Sequence, residues 1–397
     1  MDTKTQTRFG HPRVARAKIV GTVSALVAFA QLASPALAGV NEQAKRIHDR
    51  IAGVPPSAAV LTQMIADLNA SNPSAAAALA TANPNFYNVT LKNFVAPWTN
   101  RDQTVFTPLN DYTATVIGMV HDDLPFNTVL SDDILYTVNG SGLPAPSAGN
   151  NDHYAMAETN GIDLSANLKR TTQSAVYGLP SAATAGIMTT RGGASAFFVA
   201  GTNRAMFRFT MMNHLCHDME TVQDTTRPTD RIRQDVARSP GGDSRIFLNN
   251  CVGCHSGMDP MAQAFAYYNF DATAGTLGYT ANTVQAKYLI NSDNFKQGFV
   301  TPNDAWENRW RTGPNSVLGF DSSLPGSGNG AKTLGQELAA SDAFAECQVE
   351  KVFQAVCFRA PGNAADRNAV ATIKANFKSG YKLKQVFADT AVYCKGQ

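Results

Sequence analysis

The sequence lacks an excess of charge of either sign. Only 16% of its 397 residues are charged, and 33 basic side chains stand against 31 acidic ones. Five of the basic and one of the acidic residues precede residue 39, so the remaining chain carries 28 basic and 30 acidic groups, a formal charge of −2. Such a chain provides no electrostatic argument for binding nucleic acid or an anionic membrane. Its length and its 44% hydrophobic residues indicate two domains or one large globular fold.

Familiar catalytic motifs are also lacking. The sequence contains no nucleophile elbow, phosphate-binding loop, dinucleotide fingerprint or metalloprotease helix. Its paired carboxylates, Asp122-Asp123 and Asp132-Asp133, are adjacent in sequence, which is typical of turn or capping residues. Neither pair indicates catalysis.

Long apolar runs are confined to the first 40 residues. Residues 19–33 form an uncharged apolar run that follows a basic segment ending at Lys18 and precedes the small residues Ala36 and Ala38. This order is typical of a signal peptide over residues 1–38, with cleavage after Ala38 and a periplasmic or secreted product. The alternative is an uncleaved membrane anchor, because the charge-free run continues to Asn41. In the mature chain we expect no integral membrane span.

The rest of the chain has mainly helical periodicity, so we expect a mainly α fold. Predicted helical segments are residues 41–82 with an interruption at Pro55-Pro56, residues 202–220, and residues 334–358, 365–377 and 383–393. Residues 141–151 and 313–330 are rich in Gly, Pro, Ser and Asn and are predicted to be loops.

The most informative residues are Cys251-Val252-Gly253-Cys254-His255, a CxxCH motif. Two cysteines three residues apart on one helical turn can bond both vinyl groups of one porphyrin, and the next residue can bind the iron. The motif therefore predicts one covalently bound haem c, with His255 as the proximal ligand.

Aromatic residues on both sides of the motif are candidates for contact with the haem. Phe247 lies one turn before Cys251 on the same face. Downstream, Asp259-Pro260 is predicted to begin a helix over residues 261–270. That helix would place aromatic side chains beside the haem, namely Phe265, Tyr267, Tyr268 and Phe270.

Three other interpretations compete with haem. A structural zinc site would need further ligands, and the sequence has no second CxxC or HxxxH pair. A thioredoxin-like redox motif would not explain His255. The third alternative is a Cys251–Cys254 disulfide or coincidence.

Residues 246–270 resemble the haem module of the large planctomycete-type c-type cytochrome proteins. The similarity rests on the CxxCH motif, Met258-Asp259-Pro260 and Asn269-Phe270-Asp271. It extends to Pro125-Phe126 through Tyr136, Gly186-Ile187-Met188-Thr189, Leu215-Cys216 and residues 344–359, about two-thirds of the mature chain. The resemblance implies a secreted haem protein in redox chemistry. We therefore expect a cytochrome c-like module in residues 201–330, between a mostly helical N-terminal domain, residues 39–200, and a C-terminal helical unit, residues 331–397.

The sixth iron ligand must come from upstream if it is Met or His. The chain has no Met after Met261 and no His after His255, and Met258 and Met261 are too close to His255 in sequence to reach the opposite face of the porphyrin. Candidate ligands on the preceding helix are His214, His217, Met211 and Met219, although Met212 and Met219 also suit packing roles. An open or water-bound iron stays an alternative.

Four cysteines remain after the haem pair: Cys216, Cys347, Cys357 and Cys394. In an exported protein they predict two disulfides, with three possible connectivities. On one helix, Cys347 and Cys357 would lie about 15 Å apart, beyond the reach of a disulfide. Cys394 would then pair with one of them, most simply Cys357. The alternative is buried free thiols.

Residues 227–245 interleave five arginines with three aspartates. The pattern is typical of a solvated, salt-bridged helix. Because guanidinium groups match carboxylates, haem propionates are another possible partner of Arg231, Arg233 and Arg245.

Two classes of function are consistent with these residues. The first, which we favour, is an electron-transfer cytochrome that exchanges electrons with an unidentified redox partner protein. The second is a peroxidase-like or oxygenase-like haem enzyme with an open iron site and a distal residue such as His214. A docking subunit with haem as a minor part is a weaker third class.

Overall fold

The computed structural model describes residues 38–199 and 201–396. The predicted signal peptide lies outside these residues except for Ala38. Within the described part, no helix is both long enough and apolar enough to cross a membrane.

The fold is mainly α, as the periodicity predicts. The helices are α1 Val40–Ala52, α2 Ala58–Asn69, α3 Pro73–Thr81, α4 Lys92–Val95, α5 Asp111–His121, α6 Asp152–Thr159, α7 Leu164–Asn167, α8 Gln173–Tyr177, α9 Arg191–Phe197, α10 Arg204–Thr210, α11 Ser244–Ile246, α12 Val252–Ala262, α13 Gly330–Ala339, α14 Asp342–Cys357, α15 Ala364–Lys378 and α16 Leu383–Cys394. Wider π-helical turns cover Phe86–Leu91, Met211–Leu215 and Phe247–Cys251.

Three small two-stranded antiparallel sheets accompany the helices in the described residues. Strand β1 Leu135–Val138 pairs with β2 Leu168–Thr171, β3 Tyr268–Asp271 with β4 Thr276–Tyr279, and β5 Ala305–Glu307 with β6 Ser327–Asn329. The first sheet sets Leu135 opposite Thr171, the second Tyr268 opposite Tyr279, and the third Ala305 opposite Asn329.

Helices from the two ends of the described chain form one layer. Helices α1 and α3 pack against α16, which in turn packs against α14. The guanidinium of Arg50 donates a hydrogen bond to the carbonyl oxygen of Cys394 at 2.6 Å. Local residues determine where these helices end and begin. Pro55-Pro56 separates α1 from α2, and the Ser57 side chain caps α2 by accepting a hydrogen bond from the Val60 amide.

The prediction of one helix over residues 334–358 is wrong, because two separate helices, α13 and α14, cover this segment. Helix α13 ends at Ala339, and the Ser341 hydroxyl caps α14 by accepting a bond from the Phe344 amide. The later predicted helices, residues 365–377 and 383–393, are confirmed as α15 and α16.

Three further predicted helices around the CxxCH motif need correction. The helix predicted over residues 202–220 stops at Leu215, because Cys216 adopts a left-handed conformation with φ of 58°. The helix predicted over residues 227–245 is not formed: residues 227–239 contain no helix, and only the short α11 begins near the end of the segment. Pro228 and Pro240 both lie in it and disfavour a continuous helix. Residues 261–270 are not one helix either.

In the segment 261–270, only the first two residues are part of an α-helix, because α12 spans Val252–Ala262. Helix α12 begins before Pro260 and ends at Ala262, and a 3-10 turn over Gln263–Phe265 leads to strand β3. Pro260 thus lies inside α12, and Asp259 is not a cap. Because proline removes a backbone donor, it weakens the helix near its end rather than beginning a new one.

Candidate functional site

The CxxCH motif lies on the exposed side of a helix. The π-helical turn Phe247–Cys251 leads directly into α12. Cys251, Cys254 and His255 share one face of this helix, because they are spaced three and four residues apart, and all three are partly exposed. The structure thus presents two thiols and one imidazole together on an accessible face.

The opposite face of α12 is tightly packed. A Cβ atom on Gly257 would overlap the indole of Trp310, which is fully buried. The Ser256 hydroxyl donates to the carbonyl oxygen of Asp224 at 2.8 Å, and the Asp224 amide donates to the carbonyl oxygen of Gly253 at 3.0 Å. Small residues between and after the cysteines therefore let the helix approach its neighbours and hold the motif outward.

His255 is oriented by a carboxylate one turn away. Its Nδ1 atom lies 3.1 Å from Oδ1 of Asp259, whose side chain is fully buried. Burial alone would raise the pKa of Asp259, but Arg204 and His255 lower it well below its usual range. An ionised carboxylate can only accept, so Nδ1 donates this hydrogen bond, and Nε2 is the ring nitrogen that this contact leaves for another partner.

Arg204 holds that carboxylate in place. Its guanidinium donates from Nε to Oδ1 of Asp259 at 2.7 Å and from Nη2 to Oδ2 at 2.9 Å. It also bonds both oxygens of Asp235, at 2.7 and 2.9 Å. Burial opposes the charge of Arg204, but Asp259 and Asp235 raise its pKa above the ordinary value. The result is a charged network behind His255.

The sequence alone does not indicate this network. Its pattern predicts Asp259 only as a helix cap and does not point to Arg204 or Asp235 as site residues. The four-residue spacing from His255 to Asp259 is a signal for a contact on one helix face. Nothing in the sequence links Arg204, which is 55 residues from Asp259, to the same site.

The predicted aromatic neighbours of the haem divide into two groups. Phe247 and Cys251 lie together, in a small apolar cluster with Ile232, Val236 and Val252. The guanidinium of Arg238 lies 4.7 Å from the Phe247 ring centroid. Phe265 and Tyr268 instead pack in the main core against Phe198, each with ring centroids 5.4 Å apart.

His214 is a core residue with its own partners. Its Nε2 atom lies 3.0 Å from the Tyr112 hydroxyl, and its ring packs against Trp98 and Phe344. Burial, and then Lys351, lower its pKa well below the usual value, so the ring is neutral. Among the described residues, no hydrogen bond or ring contact joins His214 to His255.

The other candidate sixth ligands occupy different places. Met211 is fully buried in the main core. His217 is partly exposed and its Nδ1 lies 3.2 Å from the Thr221 hydroxyl. Met219 is buried, and its carbonyl oxygen lies 3.4 Å from Sγ of Cys254. Only Met219 among the four thus has a hydrogen-bond contact with the motif in the described part of the chain.

The three candidate arginines also have separate environments. Arg231 donates to the carbonyl oxygen of Ala305 at 3.3 Å and lies near Glu307. Arg233 is buried and its guanidinium donates to Thr202. Its backbone amide donates to Oδ2 of Asp259 at 3.5 Å, and its Nε lies 3.7 Å from Asp235. Arg245 is largely exposed and pairs with Asp243 at 2.7 Å. Arg204 thus makes the side-chain hydrogen bonds to Asp259, and Arg233 is the one of the three candidates that joins the same network.

The cysteines separate into two classes, as predicted. Cys216 pairs with Cys347 and Cys357 with Cys394, with Cα atoms 5.3 and 5.7 Å apart. This arrangement confirms the two expected disulfides, including the Cys357–Cys394 pairing. Cys251 and Cys254 carry free thiols. The two motif cysteines therefore stay available for other chemistry.

Comparisons of the chain with models of protein families, with curated proteins and with solved structures find no match. The resemblance to planctomycete-type cytochromes stays a prediction that depends on the residues quoted for it.

Proposed function

We propose that the protein is an exported monohaem c-type cytochrome and that its role is electron transfer. In this proposal Cys251 and Cys254 bind one haem covalently, and His255 binds the iron through Nε2. The observation that carries the proposal is the hydrogen bond between His255 Nδ1 and buried Asp259, on the same helix as two free thiols.

The donor set fits the group. Covalent attachment requires two free cysteines on one turn, and these two are unpaired while the other four form disulfides. Iron ligation requires an imidazole whose other nitrogen donates to a fixed acceptor, and Asp259 is such an acceptor. The haem, when bound, supplies one-electron oxidation and reduction.

Protein side chains control the environment of the proximal ligand. Asp259 accepts the hydrogen bond of Nδ1 and keeps the ring in one orientation, with Nε2 as the nitrogen that would bind the iron. Arg204 fixes Asp259, while Asp235 balances the charge of Arg204. Gly257 against Trp310 keeps the helix backbone close to the core. A ligand held in one orientation would lower the reorganisation energy of electron transfer.

The surface around the motif supports exchange with a partner. Leu248 and Ile246 are 56% and 40% exposed, and both lie within one and a half turns of Cys251. An accessible apolar edge beside a haem suits transient docking of a redox protein.

A haem enzyme is the second candidate function, and the hydrogen bond between His255 and Asp259 is compatible with it too. A carboxylate hydrogen-bonded to the proximal imidazole strengthens the ligand field on a reactive iron as well as on an electron carrier. Against it, His214 is held by Tyr112 within the core and has no contact with the described residues of the motif.

Optical and paramagnetic-resonance spectra of the purified ferric protein, with and without cyanide, distinguish the two functions. Electron transfer predicts a low-spin spectrum that cyanide leaves unchanged. High-spin iron that binds cyanide and turns over peroxide would contradict electron transfer and support the enzyme.

A further inference from the structure

A second feature of the molecule is a cavity of about 670 Å³ that opens on the surface. It lies between α4 and the turn that follows it, the π-helical turn Met211–Leu215, and α14. Apolar walls come from Phe94, Trp98 and Met212, and polar groups from Gln103, Lys351 and Gln354. Mixed walls of this kind are typical of small-molecule sites.

Lys351 is the basic group that lines this cavity. Its Nζ atom donates to the carbonyl oxygen of Asn213 at 2.8 Å and lies 3.5 Å from the ring centroid of Trp98. Burial lowers the pKa of Lys351 well below the usual value. In the described part of the chain, no nearby carboxylate raises this pKa again. An ammonium that faces a cavity without a counterion is costly unless an anion joins it.

The one acid that lines the cavity does not supply this counterion. Asp218 accepts hydrogen bonds from Nε and Nη2 of Arg208 at 2.7 and 2.6 Å, and from the amide of Met219 at 2.7 Å. Its charge is therefore neutralised by Arg208, so Asp218 is not the counterion of Lys351. An anion that binds beside Lys351 would favour the charged form of this amine.

Asn213 holds the polar groups in position. Its Nδ2 atom donates to the carbonyl oxygen of Trp98 at 3.1 Å, and its Oδ1 accepts from Gln103 at 3.3 Å. The disulfide of Cys216 to Cys347 fixes the two adjoining segments to each other. The cavity is thus formed before any ligand binds, which limits the entropy lost on binding.

We propose that this cavity binds an aromatic carboxylate. The carboxylate accepts hydrogen bonds from Lys351, and the ring packs against Phe94 and Met212. This assignment uses none of the residues of the CxxCH motif, so it does not depend on the proposed haem. A neutral analogue of the same shape would fill the apolar part of the cavity but leave Lys351 without a counterion.

Isothermal titration of the purified full mature protein with 2-naphthoate and 2-naphthamide tests this proposal. We expect naphthoate to bind about tenfold or more tightly than naphthamide, because a charge-assisted hydrogen bond is strong in a partly buried site. Equal affinities, or no naphthoate binding at millimolar concentration, would overturn the proposal. This comparison needs no variant.

Variants locate the site. Lys351→Met keeps the length and apolar stem of the side chain but removes the charge, and it should reduce naphthoate affinity to that of naphthamide. Lys351→Arg should keep the preference for the anion. Lys374→Met, which removes a lysine of the neighbouring helix α15 that pairs with Glu346 of α14, is the matched control and should change nothing. An unchanged naphthoate affinity in Lys351→Met would also overturn the proposal.

Discussion

His255 Nδ1 and Asp259 Oδ1 lie 3.1 Å apart on successive turns of α12. The contact connects the exposed motif with a buried charge network, because Asp259 also receives two hydrogen bonds from Arg204. Buried residues therefore determine the orientation of His255, the proposed proximal ligand of the iron.

Asp259→Asn should raise the reduction potential of the haem protein. The neutral amide is a weaker acceptor for Nδ1–H, so His255 becomes less basic and the ferric state loses stabilisation. Loss of about 1.4 kcal/mol corresponds to about 60 mV for one electron. Spectroelectrochemical titration measures the shift. Asp243→Asn removes an exposed aspartate that pairs with Arg245 and is the matched control; an equal potential in the two variants would refute the role of Asp259.

Gly257→Ala should lower the free energy of unfolding by about 1–3 kcal/mol, because the added Cβ overlaps the indole of Trp310. Denaturant unfolding followed by circular dichroism measures this change. Gly278→Ala on strand β4, where the nearest atom to an added Cβ lies 3.5 Å away, should unfold at nearly the wild-type midpoint. If both variants unfold alike, the close packing behind the motif is wrong.

Removal of the Cys357–Cys394 bridge by a double serine variant should destabilise the fold by about 2–4 kcal/mol. The bridge joins the ends of α14 and α16 and has no part in the motif, so the variant should still carry haem. Thermal unfolding and the haem absorbance of the purified chain test both statements. Loss of haem here would show that attachment depends on the helical layer.

Export predicts a mature chain that begins at Gly39. Intact mass spectrometry of periplasmic or secreted material should give the mass of residues 39–397. A chain in the membrane fraction that retains residues 1–38 would instead support the uncleaved anchor.

The correct predictions rest on local sequence patterns, namely apolar periodicity and the spacing of cysteines. Helices α1, α15 and α16 follow their apolar periodicity, and the CxxCH spacing identifies Cys251 and Cys254 as distinct from the other cysteines. Helix ends were harder to predict. Ser341 begins a new helix inside an unbroken apolar pattern, and Cys216 ends one in a left-handed conformation where it bonds Cys347.

In the candidate site, too, the sequence predicts the local features but not those that depend on tertiary packing. The face shared by Cys251 and His255 follows from spacing on one helix. The position of Arg204 does not, because α10 meets α12 only through tertiary packing. Residues 227–239 likewise have charge suited to a helix, but proline and contacts with distant residues, such as Arg231 with Ala305, determine their irregular path.

The most direct test of the account is the fate of haem when the purified protein is denatured and extracted with acidified organic solvent. We predict that the haem absorbance stays with the polypeptide, and that Cys251→Ser combined with Cys254→Ser abolishes this retention while the Cys357–Cys394 double variant preserves it. Complete passage of haem from the wild-type chain into the solvent would contradict covalent attachment at Cys251 and Cys254.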